Sequence, residues 1–360
     1  MTSTPLKIRD IRARAINIPM ERPVRTASGD IRSAPLVLLD IDTDQDVTGR
    51  AYVFAYTPLM LRPLVSVVEE ILDLMTGKPV APVDRMADME RAFKLLGRQG
   101  LVGMALAGLD QALWDALARA LGLPLAALLG GGTEPIPAYD SYGIIDPAQD
   151  RGALERSLEQ GFRAIKIKLG HAGLETDVAT VTAVRTIIGD GVRLMLDYNQ
   201  SLDAPEAVRR IERLAEFDLE WVEEPVGAED LVGHARVRAG VSVPIQTGEN
   251  WWFPQDMAKA VAAGASDYAM LDIMKIGGVT GWLRAMGQAE AASLPVSSHA
   301  FVEASAHLLA VTPTVHWLEF LDKARPVLQL PAEVVDGAVR PRGPGLGMDW
   351  DEEAVARFAI

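Results

Sequence analysis

Four short runs in the middle of the chain decide its fold: residues 162–168 (FRAIKIK), 192–199 (VRLMLDYN), 219–225 (LEWVEEP) and 243–250 (VPIQTGEN). Each is apolar and rich in β-branched or aromatic residues, and each ends in charged or amide side chains. Helical periodicity fills the intervals, as at 175–188 and 204–216. The same unit recurs outward. Residues 136–143 (IPAYDSYG) precede the four runs, and 268–275 (YAMLDIMK), 295–300 (PVSSHA) and 315–320 (VHWLEF) follow them, with helical stretches at 254–263 and 279–292. Eight strands alternating with seven helical stretches predict a parallel sheet. Eight such strands predict closure into a barrel. The alternative, an open doubly wound sheet, lacks its Gly-rich fingerprint, because Gly130-Gly131-Gly132 lies before the first strand.

The flanks follow another pattern. Residues 6–18 and 35–55 read as strands, with turn chemistry at Asp44-Gln45-Asp46, and helical patterns fill 59–76 and 83–121. Strands first and helices after predict an α+β module. After 321 the chain is broken by Pro326, Pro331, Pro341 and Pro344. The expected organisation is therefore an α+β capping domain at 1–132, a barrel at 133–322, and a segment at 323–360 that returns to the first module.

The chain has 360 residues, 49% hydrophobic and 23% charged, which is enough apolar material for a large core and excludes a mainly disordered protein. Its net charge of −14 argues against nucleic acid or an anionic membrane as partner. Small anionic substrates remain open, because a pocket can be locally basic. With no cysteine, disulfides, thiolate metal sites and a Cys nucleophile are excluded, so any metal must sit on oxygen or imidazole. Residues 1–7 lack the order of a signal peptide. Asp110, Asp115 and Arg119 interrupt the most apolar stretch, 101–130. A soluble, cytoplasmic protein is expected.

The strand ends carry the chemistry. Asp197, Glu223 and Glu249 recur at intervals of 26 residues, close to one βα unit, so they are expected on adjacent strands at the C-terminal mouth where barrel sites lie. Three clustered carboxylates repel unless a cation joins them, and all-oxygen ligation favours Mg²⁺, with Mn²⁺ as a substitute. The alternative is that each caps the following helix. Glu224 points to the other face and reads as structural. Lys166 and Lys168 share one face of their strand, toward the barrel interior. Two adjacent ammonium groups are expected to lower at least one pKa and yield a base. Of five histidines, His171 falls in a loop, His234 and His307 in helical stretches, and His316 beside Trp317. His299 ends the seventh strand, 27 residues after Asp272, which can fix its tautomer from the next strand. Glu319 ends the eighth strand, where a protonated carboxyl can donate to an oxyanion; the alternative is a helix cap.

Together, the Lys-x-Lys strand, the Asp/Glu/Glu set and the Asp–His pair resemble the enolase superfamily, and within it the mandelate racemase subgroup. The likeness spans essentially the whole chain, including Pro23-Val24-Arg25, Asp197-Tyr198-Asn199-Gln200-Ser201, Gly248-Glu249-Asn250-Trp251, Met274 to Trp282 and Ser297-Ser298-His299. It implies a (β/α)₇β barrel of TIM type under an N-terminal α+β cap completed by the C-terminal tail. It implies Mg²⁺ on Asp197, Glu223 and Glu249, with Lys168 and His299 as bases on opposite faces of the substrate carbon and Asp272 orienting His299. Lys166, Ser141, Asn199 and Glu319 are then expected at the substrate carboxylate and its enolate. Loops near 20–32 and 54–58 are expected to lid the barrel and set specificity, through Val24, Ser28, Ile31, Phe54 and Tyr56, with Ala300 beside them. Ser28, Ala300 and Phe320 depart from the subgroup's namesake, which has Val, Leu and Arg there. The first two make the pocket roomier and more polar. The expected activity is racemisation of mandelate or a related aryl 2-hydroxy acid, with dehydration of an acid sugar as the alternative. The expected partner is a small carboxylate, and the resemblance implies a homo-oligomer, an octamer.

Overall fold

A long hairpin opens the chain. β1 (Ile8–Thr26) pairs antiparallel with β2 (Gly29–Thr43), which pairs with β3 (Thr48–Phe54). The structure is a computed structural model that describes residues 5–26, 29–170 and 173–360. The arms of the hairpin outrun the strands expected at 6–18 and 35–55. Pro19 and Pro23 carry no N–H and hide the strand signal, but a register shift between Pro19 and Val24 lets pairing resume, with Val24 opposite Ile31. The segment expected as a loop at 20–32 is thus largely strand.

Helices α1 (Leu61–Met75), α2 (Pro82–Ala92), α3 (Leu101–Ala120) and α4 (Leu125–Leu128) follow. α1 buries Leu61, Leu64, Val68, Ile71 and Met75, the spacing of one helical face. The helical run expected at 83–121 is split, because Gly97 and Gly100 turn the chain with φ of 99° and 67°. α3 is long and apolar enough to cross a membrane, but 78% of that window is buried inside the fold. Its charges are satisfied there. Asp110 accepts from the Thr280 N–H and hydroxyl, and Asp115 from the Arg50 and Leu346 N–H groups and from Arg119. β3 lies so close to α3 that a Cβ at Gly49 would stand 2.1 Å from the Ala112 carbonyl oxygen.

The barrel comprises β4 (Ile136–Ile144), α5 (Arg151–Glu159), β5 (Ala164–Lys168), α6 (Leu174–Ile188), β6 (Arg193–Asp197), α7 (Ala204–Leu214), β7 (Leu219–Glu223) and α8 (Leu231–Gly240). It continues with β8 (Ile245–Thr247), α9 (Phe253–Ala263), β9 (Tyr268–Asp272), α10 (Gly278–Ala291), β10 (Val296–His299), α11 (Val302–Leu309) and β11 (Leu318–Phe320). The strands run parallel in the order β10-β9-β8-β7-β6-β5-β4-β11. The seam closes just ahead of β11. The His316 N–H donates to the Val296 carbonyl at 2.8 Å, and the Ser298 N–H to the Trp317 carbonyl at 3.0 Å. Tyr139, Ala164, Met195, Trp221 and Met270 fill the interior. Ile165, Ile167, Leu194 and Leu196 face outward onto Val181, Val184 and Ile211 of the helix layer.

The C-terminal segment touches both units. β12 (Ala338–Val339) pairs with β4, while α12 (Glu352–Phe358) leads to an Ile16–Ala359 bridge, and Trp350 Nε1 donates to buried Asp40 at 2.8 Å. The architecture is a (β/α)₇β barrel with an N-terminal α+β domain.

Candidate active site

Register places three of the charged strand ends in one row. Lys168 pairs with Asp197 across β5 and β6, and Asp197 with Glu223 across β6 and β7. Ser141 stands opposite Lys166 one row deeper. Glu249 reaches the group differently from the equal-spacing expectation. Glu223 pairs with Gln246, and β8 stops at Thr247, so Glu249 lies beyond the strand. Gly248, at φ 134°, bends the chain back, and a Cβ there would lie 2.7 Å from the Met270 carbonyl. This backbone shape suits glycine alone. One carboxylate oxygen from each of Asp197, Glu223 and Glu249 then lies within 4.8 Å of the others, and all three residues are buried.

Such a cluster fits a hard divalent cation. Burial pushes the Glu223 carboxyl well above the usual range against the pull of Lys166, and Asp197 and Glu249 add to the push. Burial acts the same way on Glu249, but His299, Lys168 and Lys275 outweigh it and hold that carboxyl down at about 2. The donors are all carboxylate oxygen, the set that suits Mg²⁺ or Mn²⁺.

Lys166 is buried and donates to Glu223 at 2.8 and 3.0 Å, and it lies 2.7 Å from Glu319 Oε1. Lys168 contacts Asp197. The expectation of a lowered lysine pKa fails in this arrangement. Burial disfavours both ammonium groups, but Glu223 and Glu319 hold the pKa of Lys166 well up, and Asp197 raises that of Lys168 against Lys166. The partner carboxylates decide, not the neighbouring amine. Asp197 is also a candidate metal ligand, and a divalent ion there would compete with Lys168 for its oxygens and weaken the hold on the Lys168 proton. Glu319 is likewise an acceptor here and not the protonated donor expected. Burial resists its charge, but Lys166 and His299 hold its carboxyl below the usual range, and the Ala300 N–H donates to it at 2.8 Å.

His299 and Asp272 pair in register across β10 and β9, with Nδ1 2.6 Å from Asp272 Oδ2. The Met274 and Lys275 N–H groups hold the other oxygen of Asp272 at 2.8 and 2.9 Å. His299 Nε2 faces inward, 3.5 Å from Glu249 and 3.8 Å from Glu319. Asn199, just past β6, donates its backbone N–H to Asp197 at 2.6 Å.

The cap closes over this mouth. Phe54 ends β3, and its ring packs 4.7 Å from that of Tyr56. Val24 and Ala300 are buried and Ile31 half-buried. Ser28 and His171 lie outside the described residues. Phe320 points away from the interior, edge-on to Phe162. His234 and His307 are buried, and His316 packs among Trp221, Tyr268 and Trp317, all in structural roles. Glu224 accepts from Asn250 Nδ2 at 2.7 and 2.9 Å. Two lysines escape the sequence reading. Lys275 donates to Asn250 Oδ1 at 2.5 Å and lies 5.1 Å from the Tyr56 ring centroid, and Lys323 lies 4.7 Å from that of Phe54.

Comparison with known proteins agrees with this geometry. Residues 8–130 match the mandelate racemase / muconate lactonizing enzyme N-terminal domain, and residues 150–354 match the enolase C-terminal domain-like family. The chain is 32% identical to an L-talarate/galactarate dehydratase of Salmonella typhimurium, over 79% of this chain and 73% of that one. It is 31% identical to a D-galactarolactone cycloisomerase of Agrobacterium fabrum, over 99% of both. A crystal structure of an enolase from Bradyrhizobium complexed with magnesium and mandelic acid superposes with a TM-score of 0.97, at 55% identity over 100% of both chains. The chain belongs to the mandelate racemase / muconate lactonizing enzyme group of the enolase superfamily.

Proposed function

We propose that the protein racemises a 2-hydroxy acid, mandelate or a related aryl 2-hydroxy acid, by Mg²⁺-dependent transfer of the C2 proton between two bases. One observation carries this reading. Lys168 and His299 end β5 and β10, on opposite sides of the β11–β4 pair, and each stands against a different member of the carboxylate triad. A 2-hydroxy acid whose carboxylate lies at the triad then presents one face of C2 to an amine and the other to an imidazole.

Asp197, Glu223 and Glu249 would hold Mg²⁺, or Mn²⁺ in its place; when bound, the ion supplies positive charge at the substrate carboxylate. Lys166 adds a second cation there, so the carboxylate can accept the electron pair left when C2 loses its proton. Ser141 and Asn199 border the same region. Lys168 or His299 removes the proton, and the other base returns one to the opposite face, inverting the carbon. Asp272 keeps the inward nitrogen of His299 free to accept. Phe54, Tyr56, Val24 and Ile31 offer an apolar cover suited to an aryl group, and Ala300 is proposed to widen it. The magnesium and mandelic acid bound to the Bradyrhizobium neighbour support this choice.

Dehydration of an acid sugar through the same enolate is the second reading, favoured by the activity of the Salmonella relative. In it, His299 would protonate a departing β-hydroxyl. Incubating mandelate and acid sugars with Mg²⁺ in D₂O separates the two. Racemisation puts deuterium at C2 and abolishes optical rotation with no keto product. A 2-keto-3-deoxy acid formed from a sugar, with mandelate untouched, overturns the proposal.

A further inference from the structure

Four lysines surround the barrel mouth, and three have polar partners. Lys166 meets Glu223 and Glu319, Lys168 meets Asp197, and Lys275 donates to Asn250. Lys323, three residues past β11, is different. It is 8% exposed, and its ammonium rests on the face of Phe54. Among the described residues, no carboxylate lies within ion-pair distance of it. The adjacent Asp322 turns to Arg325, whose backbone N–H donates to it at 2.9 Å. Glu319, Asp272 and Glu249 attract the Lys323 charge through space, but burial outweighs them and lowers its pKa to about 8.

The Lys323 ammonium keeps some contact with solvent and, among the described residues, meets an aromatic face and no anion, so it can still take one. Its position points to a use. Phe54 packs on Tyr56, the ring of Tyr56 faces Lys275, and Lys275 reaches Asn250 beside Glu249. Lys323 therefore sits where the cap meets the barrel, next to the ring proposed to cover the substrate's side group, and is a cation distinct from Lys166 and Lys168, which are held by triad carboxylates.

We propose that Lys323 is a specificity residue that pairs with a second carboxylate, carried on the side group of the 2-hydroxy acid. The substrate class becomes a dicarboxylic 2-hydroxy acid, in which one carboxylate meets the triad and the other meets Lys323. This rests on the reading that Phe54 covers the substrate's side group. Simple charge balance in an acidic mouth is the competing role for Lys323. It would stabilise every ligand equally, whereas pairing favours only ligands that carry the second anion.

Hydroxamates chelate divalent ions without turning over, so their binding tests the idea independently of catalysis. Calorimetry with Mg²⁺ compares benzohydroxamate with its 3- and 4-carboxylated forms, on the parent protein and on Lys323→Met and Lys323→Arg. At least one carboxylated form should bind the parent about 10- to 100-fold tighter than benzohydroxamate does, the scale of a charged hydrogen bond. Lys323→Met should erase that preference while leaving benzohydroxamate unchanged, and Lys323→Arg should keep most of it. Equal affinities on the parent, or an equal loss of all ligands in Lys323→Met, overturns the proposal. If Lys323→Met does not fold, the parent's preference still decides. A clear preference without C2 exchange of any acid would sink the racemase reading and leave this one standing. Exchange without the preference would do the reverse.

Discussion

Asp272 holds His299 from the neighbouring strand, with 2.6 Å between carboxylate and Nδ1, and is itself fixed by two backbone N–H groups of the turn that follows β9. The carboxylate cannot swing away without abandoning those donors, so the imidazole has one orientation and one tautomer. Asp272→Asn keeps the shape but presents an amide that can favour the other tautomer. Racemisation should fall about 10²- to 10⁴-fold. The loss should appear in C2 exchange on the face served by His299 and spare the face served by Lys168. Equal loss on both faces would show that Asp272 acts on folding and not on His299.

Metal dependence follows from the buried triad. Excess EDTA should abolish turnover, and Mg²⁺ should restore it, with Mn²⁺ a weaker or equal substitute. The ion binds the folded state, so it should also raise Tm, by an amount equivalent to about 2.7 kcal/mol at 100 times its Kd. Glu249→Gln should lower that Mg²⁺-dependent rise. Full activity with metal content measured as nil would remove the metal from the mechanism.

His307 in α11 gives the fold a pH dependence separate from the active site. Its Nδ1 accepts from the Ala126 N–H at 3.1 Å, and its Nε2 lies 2.7 Å from the Arg342 carbonyl, so the neutral ring with a proton on Nε2 satisfies both. Burial pushes its pKa down to about 4. An unfolded histidine titrates near about 6.5. Between these values the unfolded chain binds a proton that the folded chain refuses, so stability falls as pH drops through the window and is complete above it. The effect is on the order of 2–3 kcal/mol. Melting curves at pH 7 and pH 4.5 should show a larger drop in Tm for the parent than for His307→Gln. Parallel drops would mean that other groups govern acid lability.

Much of this site is legible before folding because barrel strands impose a simple rule: residues at strand ends face a common mouth. Lys166 and Lys168 share a face by two-residue spacing, and Asp272 and His299 meet because their strands are adjacent and in register. What the pattern hides is set by the backbone between elements and by partners far apart in the chain. Glu249 keeps the right interval but arrives through the Gly248 bend, because β8 is only three residues long. The charge states of Lys168 and Glu319 depend on Asp197 and Lys166, which no local pattern pairs with them. Lys323 sits among Pro and Asp residues where a lysine ordinarily means a solvated loop, and its contact with Phe54 of the other module is visible only once the chain is folded. The long hairpin is masked by two prolines for the same reason: pairing across residues is invisible where the local donor is missing.

The two bases can be separated by exchange. Lys168 and His299 lie on β5 and β10, and the seam strands β11 and β4 stand between them on one side of the mouth. In the proposed mechanism the triad on β6, β7 and the turn after β8 would hold the substrate carboxylate on the other side. C2 would then lie between an amine and an imidazole, each reaching one face. His299→Asn should stop racemisation in both directions, because inversion needs both bases. It should leave Lys168 exchanging the C2 hydrogen of one enantiomer with D₂O, without inversion. Lys168→Met should leave the opposite exchange with His299. Each blocked transfer should slow by about 10²- to 10⁴-fold. Lys168→Met also removes the cation beside Asp197, so metal binding should be measured in that variant and saturated before exchange is read. If His299→Asn exchanges both enantiomers equally, or racemises at the parent rate, a single base serves both faces and the two-base assignment falls.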